Sequence, residues 1–101
     1  MIYVLSTCVV TMGRKKNFDN MFKEVASVLK KHGATLVGFW WTLGGEGNEA
    51  VWITSWKNLE AYGKGQEALW KDKDFPTDKF ASTAISYTDK ILKPSPLYPP
   101  K

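Results

Sequence analysis

Few side chains in this sequence can do chemistry, and their types narrow what that chemistry is. The only histidine, His32, follows Lys30-Lys31 and precedes Gly33. One imidazole cannot build a histidine-rich metal centre. At the end of an apolar-periodic segment it reads as a surface cap on a helix C-terminus, with a base or ligand role as the alternative. The only cysteine, Cys8, lies in the run Leu5-Ser6-Thr7-Cys8-Val9-Val10 with no neighbouring cation. That setting describes an inert buried thiol rather than a nucleophile, and a lone cysteine excludes an intrachain disulfide or a multi-cysteine cage. Gly44-Gly45-Glu46-Gly47 has the glycine content of a phosphate loop but not its Lys and Ser/Thr, and it separates two strand-like runs instead of opening a helix. No metal and no cofactor is expected.

What remains is aromatic and phenolic. Aromatic residues make up 14% of the chain, five of them Trp, and each buried ring removes about 150–250 Å² from water, more in total than a small core hides. Tyr3, Trp40, Trp41, Trp52, Trp56 and Tyr87 lie in strand-like runs. Together they are the ligand-binding candidates, because indole and hydroxyl donors on apolar rings suit a flat or greasy molecule. Core and interface packing is the competing reading of each. For an enzyme without a cofactor, the candidate acids and bases are Tyr3, Tyr62, Tyr87 and Asp89; none sits in a recognisable signature, so the catalytic set is unassigned.

The elements that must position these residues follow from periodicity. Ile2 to Val10 is rich in β-branched and aromatic residues and ends at Met12-Gly13, which reads as a strand. From Phe18, the residues Met21, Phe22, Val25, Val28 and Leu29 recur at helical spacing. Lys30, Lys31 and His32 complement the carbonyl end of that helix, and Gly33 is its natural C′ residue. Ala34 to Thr42 and Ala50 to Trp56 read as a hairpin joined by the glycine-containing loop Leu43 to Asn48. Asn58 is an N-cap for a second helix carrying Leu59, Tyr62, Leu69 and Trp70, which Gly63 and Gly65 weaken. A short helix follows Phe75-Pro76, and Ala84 to Leu92 is a last strand. The order strand, helix, strand, strand, helix, strand predicts an α+β, ferredoxin-like split βαβ with a four-stranded antiparallel sheet. The domain is expected to span 1–93, with 94–101 a proline-rich tail unsuited to helix or sheet.

Right-handed crossovers place both helices on one sheet face. The other face needs cover, because both parities of the middle strands are apolar: Leu36 and Trp40 against Val37, Phe39 and Trp41, and Val51 and Ile53 against Trp52 and Trp56. A second copy of the chain is the expected cover. The net charge of +4 is spread over scattered lysines, which makes a solvated surface. No DNA partner is expected, and nucleic acid in general is disfavoured. No apolar run approaches the roughly 20 residues of a membrane span. The start Met1-Ile2-Tyr3-Val4 lacks the charged region of a signal sequence, so a cytoplasmic location is expected.

Three stretches carry a family resemblance. Ile2-Tyr3-Val4-Leu5-Ser6-Thr7 followed by Gly13; Leu36-Val37-Gly38-Phe39-Trp40-Trp41-Thr42 leading through Gly44-Gly45 and Asn48 into Val51-Trp52-Ile53-Thr54-Ser55-Trp56; and Ile91-Leu92-Lys93-Pro94-Ser95-Pro96-Leu97-Tyr98-Pro99 together resemble NIPSNAP proteins of the dimeric α+β barrel superfamily. The resemblance implies a homodimer with a pocket beside each sheet and no settled reaction. The loop Leu43 to Asn48 departs from the usual form, which carries an acidic residue after the Thr and an apolar one before the Asn. The expected function is a homodimeric domain of undefined activity that binds a small apolar or aromatic ligand or a protein partner. The alternative is a cofactor-independent monooxygenase or cyclase acting on an aromatic or polyketide-like substrate. Such an enzyme needs a polar cluster inside its pocket; a purely apolar cavity would count against it.

Overall fold

Alternation over the first ten residues produces β1 (Ile2–Val10), in which Val4, Ser6, Cys8 and Val10 are all buried. The computed structural model describes residues 1–44 and 48–100. It continues with α1 (Lys15–Lys31), β2 (Thr35–Trp41), β3 (Glu49–Trp56), α2 (Leu59–Lys71), α3 (Thr77–Thr83) and β4 (Ala84–Leu92). The strands form one antiparallel sheet in the order β2-β3-β1-β4. Inserting β3 between β1 and β2 makes this a split βαβ unit, so the fold is α+β and ferredoxin-like.

α1 begins at Lys15, a turn before the apolar stripe, because its first turn holds only polar residues and leaves no periodic signal. Phe18, Met21, Phe22, Val25, Val28 and Leu29 face the sheet and are buried. The helix stops where Gly33 takes φ +98° and the Ala34 N–H returns to the Leu29 carbonyl at 3.0 Å, a glycine-terminated helix end as expected. α2 starts at Asn58, whose Oδ1 accepts the Ala61 N–H at 2.8 Å. The β2–β3 hairpin closes with the Thr42 N–H on the Glu49 carbonyl at 3.0 Å. The middle of its connecting loop, Gly45-Glu46-Gly47, and with it the weighed phosphate-loop reading, lies outside the described residues.

The core sits between helices and sheet. The ring of Phe22 lies 4.5 Å from that of Phe39 and 4.9 Å from that of Trp52, and burying one such ring is worth roughly 1.5–3 kcal/mol. One expectation about β2 is corrected here. Simple alternation puts Leu36 and Trp40 on one face, but the register slips between Leu36 and Gly38. The extra residue of this β-bulge inverts parity. Leu36 therefore pairs with Thr54 on the helix-covered face, and Trp40 pairs with Val51 on the other.

That other face carries Tyr3, Leu5, Thr7 and Val9 of β1 with Val51 and Ile53 of β3. Among the described residues no helix covers it. The molecule measures 18 Å along its shortest axis, the thickness of one sheet and one helical layer. After β4 the chain makes a tight turn in which Ser95 and Tyr98 form an isolated bridge, leaving Leu97 and Tyr98 exposed. Among the described residues no helix is long and apolar enough to cross a membrane.

Candidate ligand site between the sheet and the second helix

Register decides which distant residues become neighbours. β1 pairs with β3 so that Ser6 faces Trp52, and with β4 so that Ser6 faces Asp89 and Cys8 faces Tyr87. Paired residues share a sheet face, so Trp52, Ser6 and Asp89 form one row beneath the helices and Ala50, Cys8 and Tyr87 the next. α2 lies above these rows. Tyr62 and Gln66, one helical turn apart, both point down onto Asp89.

The carboxylate of Asp89 is the centre of the cluster. Ser6 Oγ donates to Oδ1 at 2.6 Å, while Tyr62 OH and Gln66 Nε2 donate to Oδ2 at 3.1 and 3.3 Å. No Lys or Arg pairs with it among the described residues. Its neighbours register the negative charge. Tyr62 is pushed up to about 12, first by burial and then by the Asp89 charge and hydrogen bond, with Gln66 acting the other way. Tyr87 is raised further by the same two causes in the same order. Both phenols therefore stay protonated near neutrality, and that of Tyr62 donates to the carboxylate. The arrangement offers a carboxylate acceptor that can also take a proton, flanked by hydroxyl and amide donors.

Beside the cluster, rings line a hollow of about 20 Å³, with Trp52 and Tyr87 on the sheet, Trp70 at the end of α2, and Phe75 and Phe80 beyond it. That volume accommodates about one water. Phe80 lies 5.7 Å from Tyr87, and Trp70 stands edge-on to Phe75 at 4.8 Å. Trp70 is 46% exposed and forms the outer wall. A larger hollow of about 320 Å³ between α1 and α3 is lined by Arg14, Asn17, Asn20 and Lys79 and carries no ring.

The six ring residues singled out from the sequence divide between three places. Trp52 and Tyr87 line the aromatic hollow. Trp56 and Trp41 share their sheet face but are packed away from it. Trp56 lies under α2, 5.5 Å from Tyr62, with Nε1 donating to Thr54 Oγ1 at 3.0 Å. Trp41 Nε1 donates to Asp19 at 2.8 Å under the ammonium of Lys15. Tyr3 and Trp40 are on the uncovered face, Trp40 lying over Gly38. Of the four acid–base candidates the structure brings Tyr62, Tyr87 and Asp89 together and leaves Tyr3 apart. Sequence reasoning missed Ser6 and Gln66 as part of the cluster, and Trp70, Phe75 and Phe80 as walls. One signal was present: Asp89 is the only acidic residue of β4 and is in phase with Tyr87.

Elsewhere the reactive groups are placed quietly. Cys8 is 1% exposed and burial pushes its thiol up to about 11. His32 is the C-cap residue of α1 and bonds Asp72 through Nε2 at 2.7 Å. Among the described residues no group of three or more His, Cys, Asp or Glu is placed to hold a metal.

A family model described as NIPSNAP matches residues 3–98. The chain belongs to the NIPSNAP family. Solved structures agree with that assignment. An uncharacterized NIPSNAP domain protein from Burkholderia xenovorans superposes with a TM-score of 0.87 at 19% identity, covering 99% of this chain and 100% of that one. A NIPSNAP family protein of unknown function from Agrobacterium tumefaciens gives a TM-score of 0.83 at 25% identity, with 96% and 93% covered. An antibiotic biosynthesis monooxygenase shares the fold with a TM-score of 0.72 at 11% identity, covering 95% of this chain and 100% of that one. No curated protein matches the sequence. The NIPSNAP match runs to residue 98 and so takes in the Ser95–Tyr98 turn as well as the sheet.

Proposed function

We propose that this chain is a homodimeric binding protein for a flat, largely apolar small molecule bearing a hydroxyl or similar donor. The ligand lies between sheet and α2, its donor on Asp89 and its rings against Trp52 and Tyr87. One observation carries this reading: a carboxylate held under a helix, among the described residues by neutral donors alone, at the edge of an aromatic hollow. A carboxylate serving only the fold would gain more from a cation. Hydroxyls and amides leave it free to exchange one donor for a ligand's.

The second copy belongs on the bare sheet face, where Leu5, Val51, Ile53 and Trp40 would otherwise meet water. Sedimentation of the parent should give the mass of two chains, and Ile53→Lys should give one. A monomeric parent at micromolar concentration would remove the dimer from the proposal. For the ligand, quenching of Trp fluorescence by 2-naphthol, compared with naphthalene, tests the donor. The phenol should bind at least tenfold tighter to the parent, and Asp89→Asn should erase the preference. Equal binding of both compounds to both proteins would sink the assignment of Asp89.

A second reading rests on the same carboxylate. Asp89 can take a proton from an acidic methylene of an aromatic ligand. With dioxygen as oxidant that methylene becomes a carbonyl, and the second oxygen atom leaves as water. The polar cluster supplies what a sealed apolar cavity would lack. Oxygen uptake with anthrone, abolished by Asp89→Asn, would support turnover, and no uptake above the uncatalysed rate would leave binding alone.

A further inference from the structure

The hollow beside Asp89 holds about one water, whereas a ligand of the class proposed above needs roughly 300 Å³ or more. A wall must move, and the connectivity shows which one. The sheet wall, Trp52 and Tyr87, is fixed in β3 and β4, each paired with β1. The remaining ring wall is Trp70, Phe75 and Phe80, at the end of α2, in the connection after it, and in α3. α3 has only seven residues and runs directly into β4. Its far end is tied to the sheet by the Thr11 N–H on the Thr83 carbonyl at 2.8 Å. Its near end depends on what holds Asp72.

Asp72 is held firmly. Its side chain is 5% exposed, and Oδ2 receives both Lys31 Nζ at 2.9 Å and His32 Nε2 at 2.7 Å from the end of α1. Oδ1 accepts the N–H of Asp74 at 2.8 Å, which folds the connection back on itself. Lys31, then the Asp74 N–H, then His32 hold this carboxyl well below the usual carboxylate range. Asp74 is the other charged group nearby, 3.7 Å from Lys31. By contrast, the Lys79–Glu24 pair that ties α3 to α1 is open to solvent and contributes little.

We propose that residues 72–80 form a strap over the aromatic hollow, latched to the C-terminus of α1 through Asp72, and that unlatching moves Phe75 away from Trp70 to admit the ligand. This rests on the binding reading above but concerns access, since Asp72 touches neither Asp89 nor the rings of the sheet wall. The latch is a local device: its carboxylate bridges α1 and the strap, and none of its partners belongs to the sheet. Opening it exposes Phe75 and Phe80 while leaving the β-ladders intact.

Amide hydrogen exchange on the ligand-free protein tests the latch. Asp72→Asn keeps an oxygen for the Asp74 N–H and removes the charge that Lys31 and His32 share. Amides of 73–80 should exchange about tenfold faster, given the strength of hydrogen bonds to charged groups, with β1 and β3 unchanged. Lys31→Met, at a half-exposed position, should shift the same amides in the same direction and remain folded if the first variant does not. Unchanged exchange at 73–80, or a uniform rise across the chain, would overturn the strap. Stopped-flow binding of 2-naphthol separates the two ideas. Faster association in the variants supports gating, and an equal rate despite faster exchange overturns it. If neither protein binds the probe, the ligand reading fails while the exchange result still decides the strap.

Discussion

Replacing Gly65 by Ala tests the packing that brings α2 down to Asp89. Propensity alone favours the change, since Ala in a helix interior is better than Gly by about 0.8–1 kcal/mol. The surroundings oppose it. An added Cβ would fall on the Trp56 ring inside van der Waals contact and 2.9 Å from the backbone carbonyl of His32. Trp56 is 1% exposed and its Nε1 is engaged with Thr54, so the ring cannot turn aside without giving up that bond. Overpacking costs typically about 1–3 kcal/mol, and two unyielding neighbours put this site at the upper end. After the propensity gain, a net loss of about 2 kcal/mol remains, which lowers the melting temperature by roughly 10 °C. Gly63, two residues earlier in the same helix, has nothing within 4 Å of the equivalent position. Gly63→Ala should therefore stabilise by about 0.5–1 kcal/mol. In urea titrations of equal slope, the two midpoints should move in opposite directions. A Gly65→Ala protein as stable as the parent would mean that α2 does not sit this close to β3, and the Tyr62 and Gln66 bonds to Asp89 would lose their support.

Three titrating groups give further outcomes. Tyr62 titrates at about 12; because burial is the larger cause, Asp89→Asn should lower the midpoint of its phenolate absorbance without restoring the ordinary value of about 10. A raised phenol pKa means that stability is whole below about pH 10 and falls as pH rises toward 12, and this alkaline fall should be shallower in Asp89→Asn. The depressed carboxyl of Asp72 gives the opposite sign: its contribution is whole above about pH 4 and is lost as pH falls below that. The urea-midpoint gap between parent and Asp72→Asn should therefore narrow in acid, and a gap unchanged down to about pH 2 would contradict the latch geometry. Cys8, buried with its thiol at about 11, should react with a disulfide reagent only as fast as the protein opens; a rapid reaction of the native protein would misplace β1.

Local rules reached most of the fold because each element carried its own evidence. The apolar stripe of α1, the Asn58 cap and the Gly33 stop each depend on residues within a turn or two. The bulge at Val37 did not show, since one extra residue in an apolar run leaves alternation looking intact on either reading. The glycines of α2 misled for a physical reason. Gly65 weakens the helix locally yet is what lets it approach Trp56, so the local penalty is offset by a contact invisible at that range. The candidate site was harder still. Tyr62, Tyr87 and Asp89 were legible as types, but the bond from Ser6 to Asp89 joins residues 83 apart in the chain. Only the register between β1 and β4 brings them together, and a single sequence does not state a register.

That register also couples the two faces of the sheet. β1 sends Val4, Ser6, Cys8 and Val10 under the helices and Tyr3, Leu5, Thr7 and Val9 to the bare face. A slip of one residue exchanges the sets, placing Leu5 where Ser6 meets Asp89. Trp52 and Trp56 of β3 oppose such a slip if β3 takes part in it, because both are nearly fully buried on the helix side and would be turned to the other face. The aromatic strands therefore act on pairing as well as on the walls of the hollow, where Trp52 and Tyr87 stand. Folding alone would be served by an apolar residue at Ser6 and at Asp89, as in the neighbouring rows Val4–Ile91 and Cys8–Tyr87. A serine and a carboxylate facing each other there carry a desolvation cost that packing does not require. That uncompensated cost is why the binding site proposed above is centred on the row of Trp52, Ser6 and Asp89.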